Sequence, residues 1–448
     1  MPEPTAKKTQ AGVGAALAAE EERRRRSLLR NHGGGHAPVT PLELFFDLVF
    51  VFAITQLSHF LLERLSLVGA LRTAVLFAAV WWAWMYTTWA TNWIDPDRGP
   101  NRFLLGLLML LSLVMSTAIS EAFEDGGLRF AAAYVAIQLG RCLYVSWAME
   151  REDRGAGRNM LRAAIWFAAS APLWLLGAMA NDPGQRLGWW AAALAIDYAG
   201  PFFFFRVPGL GRSTLADWTI SGSHMAERAG LFIIIALGEG LVITGATYAE
   251  AAAQPGLDLA LANAFAGSFA MWWLYFDIGA RRGATHIEHH ALPGLIGRQA
   301  FTYWHIPIVA GIIVLAVADE LVLAHPLEPA HGDFVAVVAG GMALFLGGMM
   351  GFKRISSRNQ TLPFSHGIGL ALLVPLALWG FLAHPPTLVL FTAATAIFVL
   401  VAVWEWGSFH GGWLERMEAR GWPFAAALRA RAERRRARGI SREEEARG

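Results

Sequence analysis

The stretch LELFFDLVFVFAITQLSHFLLE, Leu42–Glu63, is long and apolar enough to cross a bilayer as a helix, yet it carries Glu43 and Asp47 near one end and Gln56 and His59 near the other. A hydrocarbon core takes about 20 residues of helix. A charge placed inside it costs at least ~2.5 kcal/mol on insertion scales. The stretch therefore predicts a membrane span whose polar side chains need partners.

The whole composition points the same way. Of 448 residues, 55% are hydrophobic, 12% aromatic and 16% charged, with a mean hydropathy of +0.40. A soluble domain is about 25% charged, so lipid is the expected solvent for most of the surface. A net charge of +2 gives no case for nucleic acid. The single cysteine, Cys142, excludes an internal disulfide and a cysteine metal cluster. The first apolar run begins after residue 40 without a small-residue cleavage site behind it, which argues against a removed signal peptide.

Apolar runs of similar length recur along the chain. They predict an all-α polytopic protein with helices over 42–62, 70–92, 102–121, 128–149, 160–181, 186–206, 228–249, 260–279, 299–322, 334–352, 364–383 and 386–407. Twelve spans put both termini on one side. With that side set inside, the inner loops hold fifteen basic residues, Arg228, Arg298, Lys353 and Arg354 among them. The outer loops hold four, Arg64, Arg72, Arg129 and Arg186. This is the positive-inside pattern, and it predicts cytoplasmic termini in a bacterial inner membrane. The polar arm 1–40 carries EERRRR, and the tail 408–448 carries RARAERRRARG; both suit anionic lipid headgroups.

Landmarks of the first half recur in order in the second. WWAWMY at 81–86 answers WWLYFD at 272–277, Arg102 answers Arg298, and SEAF with Glu121 answers DELV with Glu320. APLWLLG at 171–177 answers VPLALWG at 374–380, and Asp197 answers Glu405. The first helix then answers ERAGLFIIIALGEGLVITGAT, Glu227–Thr247, at an offset of about 184. Two parallel six-helix repeats, 41–206 and 228–407 around a linker 207–227, are expected, an arrangement that often holds a site at the repeat interface.

The first-helix run PLELFFDLVFVFAITQLSHFL, the seventh-helix run ERAGLFIIIALGEGLVITG and WWAWMYTTWATNWIDPD together resemble the bacterial low-temperature-requirement A (LtrA) family, over roughly residues 37–410. The resemblance implies a polytopic inner-membrane protein and leaves the activity open, the family name being that of a growth phenotype. LGEG departs from it at Gly240, where a bulkier residue is expected. FFDLVFVFAIT is also similar, over about a dozen residues, to the FSD-x-VFAIAIT signature of the lysosomal potassium/proton channel family, with Phe46 in place of the serine.

Candidate pathway residues are Glu43, Asp47, Gln56, His59, Arg141, Asp197, Glu239, Asp277 and Glu405. Glu43 is either a helix-capping residue at the interface or part of a pathway. Asp47 lies deeper, and Arg141 in the fourth helix matches its depth, which predicts a contact that is either a structural ion pair or a proton-sensitive lock. Glu239 sits mid-span between Gly238 and Gly240 with no basic residue at its level, so it is a proton relay or an interhelical hydrogen bond. Asn92, Asp95, Asp197, Asp277 and Glu405 gather toward the inner side as a solvated rim or a vestibule. Gln56 and His59 belong to the outer half of the first helix. HIEHH at 286–290 falls in an arginine-flanked loop and lacks the converging ligands of a metal site. No HExxH, Walker or GxSxG pattern appears, and no cofactor is implied. The reading that results is a transporter or channel for a small solute or ion, proton-linked. The alternatives are a non-catalytic membrane factor for cold or stress adaptation, and an embedded enzyme acting on a lipid-like substrate.

Overall fold

The computed structural model describes residues 27–30, 38–152, 154–214, 217–218, 221–277, 293–357 and 362–409, with isolated positions in the C-terminal tail. HIEHH and most of both basic arms lie outside the described residues. Among the described residues there are twelve long helices: α1 Pro41–Leu62, α2 Leu67–Trp93, α3 Gly99–Thr117, α4 Gly127–Glu150, α5 Arg154–Met179, α6 Pro183–Phe202, α7 Gly222–Glu250, α8 Leu257–Phe276, α9 His305–Ala324, α10 Gly332–Ser356, α11 Phe364–Ala383 and α12 Thr387–Phe409.

Local chemistry sets their ends. Thr40 caps α1 with Pro41 at its first position: the Thr40 backbone N–H donates to Glu43 Oε2 at 2.9 Å, and the Glu43 N–H returns to Thr40 Oγ1 at 3.4 Å. This is a capping box. Asp182 caps α6, accepting from the Gln185 N–H at 2.7 Å ahead of Pro183. α3 stops at Thr117, four residues short of the expected 121, because Ala118 and Ile119 turn onto the carbonyls of Met115 and Ser116. Before α9, Arg298–Tyr303 winds as π-helix.

Ten of the twelve helices are long and apolar enough to cross a membrane by length and composition. The two that fall short, α4 and α6, bury Gln138 and Arg141, and Arg186 and Asp197. Lipid suits the opposite faces. On α3, Leu104, Leu105, Leu108 and Met115 are buried while Phe103, Leu107, Leu110 and Val114 are exposed.

The chain divides into two compact units. One takes the described residues up to Phe46 with Trp82–Ser221; the other takes Asp47–Trp81 with the residues from Gly222 onward. In the first, α5 packs on α4 and α6. Trp174 and Trp190 lie 5.5 Å apart in its core beside Phe130, and Trp82 stacks on Tyr198 at 3.8 Å. In the second, α9 packs on α10 and α7, and α8 on α12. The glycines of α10 allow that closeness. A Cβ on Gly348 would sit 2.7 Å from Ile308 Cγ1, and one on Gly311 of α9 would sit 2.6 Å from the Phe345 backbone nitrogen. The run GGMALFLGGMMG thus serves close helix packing, as small residues do in lipid.

Candidate functional site

In the second unit two polar contacts at successive levels join α1 to α7, and their order along both helices makes the two parallel. Arg228 of α7 donates to Asp47 Oδ1 at 2.6 Å, both side chains fully buried. Further along, the Thr55 hydroxyl of α1 donates to Glu239 Oε1. The partners are 181 and 184 residues apart in sequence, so the two helices keep register. At 1.5 Å per residue the two levels are separated by about 12–16 Å.

The first contact corrects the expected Asp47–Arg141 pair: the partner of Asp47 is Arg228. The sequence reading placed Arg228 in a loop because cations usually flank spans, but α7 begins at Gly222 and carries Arg228 inside. The second contact places Glu239 at the first helix. Glu239 is 8% exposed, and its other oxygen takes no hydrogen bond among the described residues. A Cβ on Gly240 would meet only Ala316 Cβ of α9, at 3.6 Å, so glycine in place of a bulkier residue lets α9 approach beside the carboxyl.

Beyond Glu239, α9 presents Asp319, 5% exposed, with Thr244 of α7 facing it. The next residue, Glu320, is half-buried and within electrostatic range of His59, which is exposed on α1. Gln56 is half-buried on the same helix. Sequence reading passed over Asp319, quoting DELV only for Glu320 as a landmark of the repeat.

Near the C-terminal ends of α10 and α12 lies a second polar group. Lys353 Nζ donates to Glu405 Oε1 at 2.5 Å, and His366 Nε2 of α11 stands 3.7 Å from Glu405 Oε2. Ser365 Oγ lies 3.2 Å from His366 Nδ1. Asp277, exposed at the end of α8, acts electrostatically on both members of the pair. Glu405 and Lys353 are buried, which corrects the solvated-rim and loop readings for them; Asp277 alone of the three fits a rim. Sequence reading also missed His305, fully buried where the π-helix joins α9. Its Nδ1 lies 2.8 Å from the Ala300 carbonyl and must donate there, so Nε2 accepts from the Tyr275 hydroxyl at 2.8 Å.

The first unit holds the remaining candidates in separate settings. Asp197 of α6 is buried and meets three neutral donors: Tyr134 at 2.8 Å, Ser170 at 2.5 Å and the Trp174 indole at 3.2 Å. It does not belong to a solvated rim. Arg141 of α4 is buried and donates to the Ala83 carbonyl and Thr87 Oγ1, each at 3.2 Å, and to Gln138 Oε1. Its guanidinium lies 5.2 Å from the Tyr86 ring centroid. Among the described residues no carboxylate lies within ion-pairing distance of it. Glu43 also accepts from Arg30 at 3.0 Å, which supports the capping role. Asn92 exchanges hydrogen bonds with the Ser221 backbone, and Asp95 pairs with Arg98 at 3.2 Å.

The buried acids thus fall into two kinds. Asp47 and Glu405 face a cation; Glu239, Asp319 and Asp197 face neutral hydroxyl or indole groups. An acid of the second kind can change protonation state without breaking an ion pair.

Helices with buried ionisable side chains and apolar outer faces define a multi-pass membrane protein. The family model described as bacterial low temperature requirement A protein (LtrA) matches residues 38–403, and the chain belongs to this family. The chain is 40% identical over 366 residues to an uncharacterized protein of Rhizobium meliloti (strain 1021), a match covering 81% of this chain and 88% of the relative. No solved structure matches it.

Proposed function

We propose that this LtrA-family protein is a proton-linked transporter or channel for a small ion or solute, with the α1–α7 interface as part of its pathway. The observation that carries the proposal is Glu239, a carboxyl in the middle of a candidate span whose hydrogen bond, among the described residues, comes from one neutral hydroxyl. Such residues in membrane helices are costly and mark ion and proton routes. The parallel pairing of α1 with α7, at nearly the offset that separates the matching sequence landmarks, supports two parallel six-helix repeats meeting at this interface.

The test is pH-dependent flux in proteoliposomes, with thermal stability measured on the same preparations. Glu239→Gln keeps the shape and an acceptor for Thr55 but cannot release a proton. It is expected to retain the parent's stability and to lose proton-coupled flux. Glu239→Leu should lose both. Transport by the glutamine variant matching the parent across the pH range would make Glu239 structural. Absence of flux for every solute tried would remove the transport reading.

The proposal includes twelve spans and cytoplasmic termini, on the charge asymmetry of the loops. In a Cys142→Ser background, an impermeant thiol reagent applied outside should label Asp258→Cys and spare Arg354→Cys. Both positions are exposed, at the start of α8 and near the end of α10. The reverse labelling pattern would invert the topology.

A further inference from the structure

Asp319 does not stand alone in the second unit. It lines a small cavity among α8, α9, α10 and α12, whose other polar walls are Ser268 and Thr395. Met271, Leu315, Met342 and Phe398 belong to the apolar remainder. The three polar side chains are 5–6% exposed. Neither hydroxyl has a hydrogen-bond partner among the described residues, although helix serines and threonines usually return to the carbonyl four residues back. Thr73, Thr87 and Thr392 of this same chain do so. A Cβ on Gly267 would lie 4.0 Å from Thr395 Oγ1, so the glycine keeps the space in front of that hydroxyl open. Thr244 faces Asp319 from α7, outside the lining of the cavity.

Buried polar groups left without partners call for an explanation, an unplaced water or ion among them. The cavity has room for about one water-sized body. The charge it offers is one carboxylate, with no other ionisable side chain in its lining. Glu320 and His59 lie beside it on α9 and α1, outside the lining. A hard cation selects oxygen ligands. A single positive charge would be neutralised by Asp319, whereas a divalent ion would leave net charge against methionine, leucine and phenylalanine.

We infer that Asp319, Ser268 and Thr395 form a binding site for one small monovalent cation, of the alkali class. This deepens the transport reading by naming the class of ion the pathway would carry, and it rests on that reading for its purpose; the occupancy itself is tested without flux.

The experiment uses the full chain purified in detergent, melted in lithium, sodium, potassium or choline chloride at one ionic strength. A ligand bound only by the folded state raises the melting temperature in proportion to its occupancy. The parent is expected to gain several degrees, saturably, with at least one alkali cation over choline. Asp319→Asn should lose the response. Ser268→Ala and Thr395→Val should keep the fold and raise the half-saturating concentration about tenfold each, the loss of one ligating group. These two decide the matter if the asparagine variant does not fold. Equal melting of the parent in all four salts would mean that the cavity holds water only, and would overturn the inference. A cation response unchanged in Asp319→Asn, or in both hydroxyl variants, would place the ion elsewhere and do the same. Cation binding without flux would fail the transport reading alone; proton-coupled flux without cation binding would fail the cavity reading alone.

Discussion

Asp47→Asn, with Arg228 left in place, is expected to cost the folded protein about 3–5 kcal/mol, the range seen when one member of a buried ion pair is removed. Both side chains are fully buried and 2.6 Å apart, so the surviving guanidinium would keep its desolvation cost and lose its charge partner. Arg228→Met should cost a similar amount by stranding the carboxylate. The double variant, which buries neither charge, should cost clearly less than the two singles together, because residues in direct contact couple. Unfolding of the detergent-solubilised parent, singles and double gives the cycle. Additive losses would show that the pair does not hold α1 against α7. Arg141, the partner expected from depth alone, offers the control. Its donors go to Ala83, Thr87 and Gln138, so Asp47→Asn and Arg141→Met should add.

That control shows where sequence reading stops. The helices were legible because lipid leaves a one-dimensional record: α11 spans the expected 364–383, and α1 begins one residue early. Twelve expected helices have twelve observed counterparts, though ten satisfy length and hydropathy alone. The polar contacts were less legible because they are set by rotation about the helix axis and by tertiary neighbours. Depth matched Asp47 to Arg141; the tertiary contact between α1 and α7 gave it Arg228. A rule that puts cations at span ends also hid Lys353 inside α10, where Glu405 neutralises it. Glu239 was readable because its flanking glycines and its central position are features of the sequence itself. Asp319 was not, since its meaning comes from Ser268 and Thr395 on two other helices.

Arg186 marks the same limit and carries the second large expected effect. Counted by sequence as an outer-loop charge, it is 6% exposed inside α6 and reaches five backbone carbonyls. Ala122 and Glu124 accept from it at 2.8 and 2.6 Å, Gly177 and Ala178 at 3.3 Å each, and Ala180 at 3.0 Å. Two of these belong to the last turn of α5, whose terminal carbonyls have no partner within the helix. A cation there also complements the negative end of the helix dipole. The planar fork of arginine supplies several donors at once, which the compact ammonium of lysine does not. Arg186→Ala should therefore destabilise the first unit by about 3–5 kcal/mol, the cost of two or more buried carbonyls left bare. Arg186→Lys should recover only part of it. Gly127 provides an independent check, because a Cβ there would fall 2.7 Å from Arg186 Nη1 and 3.0 Å from the Ala122 carbonyl oxygen. Gly127→Ala should thus be costly in the parent and less so when Arg186 is already alanine, since the two nearest of these contacts are then gone and the one with Ala122 stays. Per folded molecule, flux should be unaltered in every one of these variants, since Arg186 touches none of the pathway candidates. A lysine variant as stable as the parent would show that charge alone, and not the fork, holds this end of α5.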